Sequence, residues 1–189
     1  LSKDSVNYLL LTEDEEAVPR DEIIVYGDDL GKIKEDCSFA RIAVLRTDDV
    51  AKNGEQAAFA IIKEIETKKY NVCPDGYMIR AAAFSNREQV RVSKKALKKG
   101  LTFEQVGNLF IEKYKQNRHV QAVKVIFVTL PEAPYEKLDT LAAKSQNIIK
   151  ALDHIMDDLP MDCKACEWKA VCDEVEGMKE MHGKVRRRG

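Results

Sequence analysis

Apolar positions along this chain follow two different periods. Runs at "NYLLLT" (7–12), "EIIVYG" (22–27) and "ARIAVLRT" (40–47) are short and rich in aliphatic and β-branched residues, which predicts three strands. In the third, Ile42, Val44 and Leu45 are expected to face a core. The period then lengthens. In "GEQAAFAIIKEIETKK", Ala58, Ile61, Ile62 and Ile65 recur at i, i+3, i+4 and i+7, one face of an amphipathic helix laid on a sheet, with Asn53 as its cap. Pro74 and Gly76 mark a turn, after which "YMIRAAAF" and "EQVRVS" on either side of "SNR" predict a hairpin.

In the second half, "TFEQ" (102–105) is a capping box: the Thr102 hydroxyl and the Gln105 amide can each satisfy a free backbone N–H. A helix should run from there to about Asn117 and bury Phe103, Val106, Phe110 and Tyr114. The nearly continuous apolar run "AVKVIFVT" (122–129) predicts a central strand. Pro131 and Pro134 break the chain before a long helix, about 135–158, in which Leu138, Leu141, Ile148, Leu152 and Ile155 keep a helical period until Pro160. The fold class expected is α/β (α+β), a mixed sheet of about six strands with helices packed on it. Residues 1–158 would form that body, and 159–189 a short Cys-rich appendage.

Composition narrows the function classes. The chain is 44% apolar and 33% charged, and its 31 basic and 32 acidic residues give no general pull toward nucleic acid or anionic membrane. No apolar run is long enough to span a bilayer, and "LSKDSVNYLLLTEDEE" has neither the basic nor the apolar part of a signal peptide, so a cytoplasmic setting is expected. The chain starts at Leu1, without methionine, and reads either as a stand-alone protein or as a piece of something longer.

Five cysteines argue against a disulfide framework, and three of them fall within ten residues in "MDCKACEWKAVCDE". The two residues between Cys163 and Cys166 form a tight turn that lets both thiolates converge. Cys172, six positions on, can return after about one and a half helical turns. The spacing suits an iron–sulfur cluster, 4Fe-4S, at least as well as zinc. A fourth ligand is required; His182 is the nearest candidate in sequence, with Cys37 and Cys73 as distant ones. The bland alternative is three reduced, partly buried thiols in a helical tail. A segment this short has no core of its own, and bound metal would supply its folding free energy, on the order of 10 kcal/mol for structural zinc.

Other polar groups read as ordinary surface. His119 and His154 have no acidic or nucleophilic partner at a telling spacing. Ser93 with Lys94 and Lys95 suggests a phosphate contact, but Lys94, Lys95, Lys98 and Lys99 fit a solvated helical face better. "EDEE" (13–16) reads as a loop and the terminal "KVRRRG" as a basic end. There is no glycine-rich phosphate loop, no G-x-S-x-G and no HExxH.

The ordered run "QVRVSKKALKKGLTFEQVGNLFIEKYKQNRHVQAVKVIFVT", preceded by "NYLLLTEDEEAVPRDEIIVYGDDL", "ARIAVLRT" and the helix at 55–69, resembles the middle domain of acetyl-CoA synthase, the β subunit of the carbon monoxide dehydrogenase/acetyl-CoA synthase complex. The resemblance covers most of residues 5–150. It implies an α/β domain leading into a nickel–iron–sulfur centre, and a protein partner in one-carbon or corrinoid metabolism. Cys163 and Cys166 match the family's opening C-x2-C. Cys172 comes three residues early for its third ligand, and His182 stands where a fourth cysteine would. The later Cys-Gly-Cys that holds nickel does not occur in this sequence. The resemblance therefore implies an iron–sulfur binding or electron-transfer module, not a complete synthase. The alternatives are a zinc-stapled protein-interaction domain and a RecB-like iron–sulfur nuclease fragment, for which Glu88 and Lys94 are available but no preceding strand aspartate.

Overall fold

A computed structural model of the protein describes the backbone of residues 1, 5–72, 74, 76–81, 88–156, 166 and 169–174. The chain divides into two compact units, Leu1–Ala142 and Ala143–Gly189. In the first, strands β1 (Ser5–Thr12), β2 (Glu22–Tyr26), β3 (Phe39–Thr47) and β6 (Val120–Val128) form a mixed sheet in the order β1-β3-β6-β2. β3 and β6 are antiparallel at its centre, and the flanking pairs β1–β3 and β2–β6 are parallel. The apolar run of β6 thus marks a central strand, as expected.

The remaining strands, β4 (Tyr77–Ala81) and β5 (Glu88–Val92), are the expected hairpin, but they form a sheet of their own. Six strands in one sheet was the expectation, and among the described residues the architecture is four plus two. The hairpin joins the body through side chains, with Tyr77 and Val90 buried in its core. Its backbone is also bent early: Gly76 has φ +91°, and a Cβ there would lie 2.6 Å from the Ala96 Cβ. That close approach lets the Ser93 N–H donate to the Gly76 carbonyl at 2.6 Å, tying the hairpin entrance to the helix that follows it.

The helices are α1 (Glu55–Thr67), α2 (Lys94–Lys98), α3 (Phe103–Lys115), α4 (Tyr135–Met156) and, in the second unit, α5 (Lys169–Glu174). α3 carries the capping box read from the sequence, with Thr102 Oγ1 accepting from Gln105 N and Gln105 Oε1 accepting from Thr102 N, both at 3.2 Å. Its stripe Phe103, Val106, Phe110 and Tyr114 is buried, as expected, against Phe39, Ala43, Leu45, Val123, Val125 and Phe127. Gly107 on the same helix faces β2 so closely that a Cβ would sit 2.8 Å from the Ile23 side chain. The Asn53 cap is corrected: Asn53 ends a 3-10 turn, Val50–Asn53, and spends its Nδ2 on the Val50 carbonyl, so Gly54, at φ +86°, precedes α1 instead.

The facing of β3 is also corrected. Phe39, Arg41, Ala43 and Leu45 point to the α3 side, whereas Ile42 and Val44 lie half-buried on the opposite face. A central strand is covered on both faces, so its apolar residues do not alternate with polar ones. The opposite face is packed by Val6, Ala40 and Val128 with Tyr135 and Ala142 from α4. Leu141, which keeps the helical period, is 49% exposed, because Leu138 and Ala142 occupy the face turned to the sheet.

Candidate metal centre

Cys166 is half-buried and free. Its carbonyl accepts from the N–H of Lys169, the first residue of α5, at 3.2 Å. Cys172 lies on that helix, one turn beyond Lys169. The turn expected between Cys163 and Cys166 lies outside the described residues. Cys163 and His182 lie outside the described residues, as does the Cys172 side chain. Among the described residues no three His, Cys, Asp or Glu side chains gather where a metal ion could bind. As a donor set, three thiolates and an imidazole fit either zinc or an iron–sulfur cluster.

Of the more distant candidates, Cys73 lies outside the described residues. Cys37 is half-buried in the first unit, and burial pushes its thiol up. Nearby, Tyr135 donates to the Leu130 carbonyl at 2.7 Å and fixes the loop after β6. Burial first, then the neighbouring Cys37 and Glu132, push its phenol up to about 12, so it remains a donor at neutral pH.

His119 was read as a surface residue without an acidic partner, and this is corrected. It is buried, and its Nδ1 lies 2.8 and 3.1 Å from the Asp48 carboxylate oxygens. Arg118 Nε donates to its Nε2 at 3.3 Å, so the ring proton sits on Nδ1 and goes to Asp48. The Asp48 N–H in turn donates to the His119 carbonyl at 3.1 Å. Asp48 follows β3 and His119 precedes β6, and the register that places Thr47 beside Val120 makes them neighbours. The pair is a clasp across the open end of the central strands. His119→Ala is expected to cost about 1–2 kcal/mol in urea unfolding, the half-exposed carboxylate moderating the loss. Asp48→Asn should cost less, because the amide oxygen still accepts the Nδ1 proton. The His154 side chain lies outside those described.

A second polar group missed in the sequence is Arg41, buried in the main core with its guanidinium carbon 4.3 Å from the centre of the Phe110 ring. Asn7 stands beside it in register and is also buried. The period-2 pattern Phe39, Arg41, Ala43, Leu45 contained this signal, because only one face of the strand could hold both Phe39 and Leu45.

The family model of the CO dehydrogenase/acetyl-CoA synthase complex beta subunit matches residues 2–133, more than two thirds of the chain. The chain belongs to this family. None of the curated proteins matches it. The matched segment takes in all six strands and α1 to α3, and it ends before α4. Family membership of the beta subunit type thus rests on the α/β body, and the cysteine cluster lies beyond the match. Among the described residues no helix is long and apolar enough to cross a membrane.

Proposed function

We propose that this beta-subunit family member is an iron–sulfur protein that acts as a binding or electron-transfer module in carbon monoxide or one-carbon (corrinoid) metabolism, in a reducing cytoplasm, and not as a complete acetyl-CoA synthase. The observation that carries the reading is the union in one chain of a family body with a C-x2-C-x5-C segment whose Cys172 lies on α5. Residues 1–158 form the α/β body and 159–189 the metal-binding tail. Cys163, Cys166 and Cys172 supply thiolates, and His182 supplies a neutral ring nitrogen. A 4Fe-4S cluster bound there would supply one-electron chemistry at a potential between about −700 and +450 mV. No Cys-Gly-Cys of the nickel-binding type occurs within residues 1–189, so the proposal assigns no nickel ligands to these residues.

The test is a redox titration of anaerobically purified protein, followed by mixing the reduced form with cob(II)alamin. A reversible one-electron couple and reduction of the corrinoid support the electron-transfer role. A reducible centre that leaves the corrinoid untouched restricts the role to binding, and a protein with no reducible centre overturns the proposal.

A further inference from the structure

The loop at 33–36, strand β5 and helix α2 enclose a cavity of about 440 Å³ in the first unit. Its floor is aliphatic: Leu30 and Val90 are fully buried, and Leu97 is half-buried beside them. Its rim is cationic. Lys34, Arg91 and Lys94 are exposed there, and among the described residues none of the three has an ion-pair partner. Lys95 and Lys98, also exposed, continue the positive run along α2. Ile33, Glu35 and Asp36 line the loop side, and Leu1, also in the lining, places its N-terminal ammonium 3.5 Å from Asp36 Oδ1.

These features select among anionic ligands. Ser93, whose Oγ accepts from Ala96 N at 3.1 Å as the cap of α2, is not among the described residues that line the cavity, so a bare phosphate would meet no hydroxyl there. Single-stranded nucleic acid needs rings on which bases stack, and among the described residues the lining contains no aromatic side chain. A peptide meets every part of the surface: its carboxylates answer the cations, its backbone N–H groups answer Glu35, and an aliphatic side chain fits the floor. The volume lies at the lower end of the ~300–1,000 Å³ common for binding pockets, enough for one such anchor.

We infer that the cavity and the lysine run of α2 form a docking surface for an acidic segment of a partner protein, in which carboxylates pair with Lys34, Arg91 and Lys94 while one aliphatic side chain enters the cavity. The inference goes beyond the metal reading and uses no residue of the cysteine tail. Exposed rim charges set encounter rate, salt dependence and the choice of partner, so specificity follows from the placement of these cations.

Fluorescence anisotropy of the full chain with a labelled synthetic peptide of Glu and Asp around one Leu tests this. The peptide is expected to bind at low ionic strength and to weaken as salt is added. Arg91→Glu combined with Lys94→Glu should weaken it by at least about tenfold, and Lys34→Glu by a smaller factor. Lys137→Glu, elsewhere on the first unit, should leave binding unchanged. Unaltered thermal unfolding of each variant certifies its fold, which is expected because all these side chains are exposed. Failure of the peptide to bind at low salt would overturn the proposal, as would equal binding by the charge-reversed protein or by a Gln/Asn version of the peptide. Tighter binding of pyrophosphate or of a single-stranded oligonucleotide to the same residues would also overturn it.

Discussion

Phe103→Ala is expected to destabilise the α/β body by about 3–5 kcal/mol, a large share of the ~5–15 kcal/mol by which a domain is stable. Phe103 is fully buried at the start of α3, with its ring centre 4.5 Å from that of Phe127 and 5.7 Å from that of Phe39. The three rings join the helix to both central strands. Its N–H donates to Asp29 Oδ1 at 2.8 Å, so the backbone there is held in place and cannot collapse into the space an alanine would leave. The loss therefore combines removed apolar burial, a persistent cavity and two broken ring contacts. Urea unfolding followed by circular dichroism reads the effect. Phe103→Leu should recover more than half of it, and a cost below about 1 kcal/mol for alanine would show that the ring stack is not the joint between helix and sheet.

Cys166→Ser should have the largest effect in the second unit: loss of bound metal from anaerobically prepared protein, and with it on the order of 10 kcal/mol of metal-derived folding free energy for the tail. A serine hydroxyl is not deprotonated at neutral pH and cannot replace a bridging or terminal thiolate. Cys163→Ser and Cys172→Ser should behave alike. Cys37→Ser should retain full metal content, because the proposed ligand set, Cys163, Cys166, Cys172 and His182, does not include it. Metal analysis after gel filtration checks each variant. Retention of metal by Cys166→Ser would remove that residue from the ligand set.

Elements whose signals are local were legible in the sequence. The capping box at Thr102 and Gln105 and the four-residue stripe of α3 are written within fourteen residues, and the structure places them as expected. β6 declared its central position by lacking polar alternation. Where several tertiary neighbours decide, the reading failed. Ile42 and Val44 look as core-like as Phe39 and Leu45, and only the position of α3 chooses between the two faces of β3. Leu141 keeps the helical period but lies off the face that Leu138 and Ala142 turn to the sheet. Asn53 is a good capping residue that a preceding 3-10 turn claims first.

The candidate site divides the same way. The spacing of Cys163, Cys166 and Cys172 is a one-dimensional signal, legible without the fold. A fourth ligand is a three-dimensional question that no spacing answers. The Asp48–His119 clasp was invisible for that reason: its two residues stand 71 positions apart and meet only through the antiparallel register of β3 and β6. The sheet order β1-β3-β6-β2 likewise depends on crossovers that hydrophobic pattern does not encode.

The central claim is that thiolates 163, 166 and 172 hold one inorganic centre, and iron, sulfide and zinc analysis of the chain purified without oxygen tests it most directly. The expected result is a coloured protein with about four irons and a matching amount of sulfide per chain. A colourless protein with a single zinc would contradict the iron–sulfur assignment, and a metal-free protein whose tail is folded would contradict the metal centre altogether.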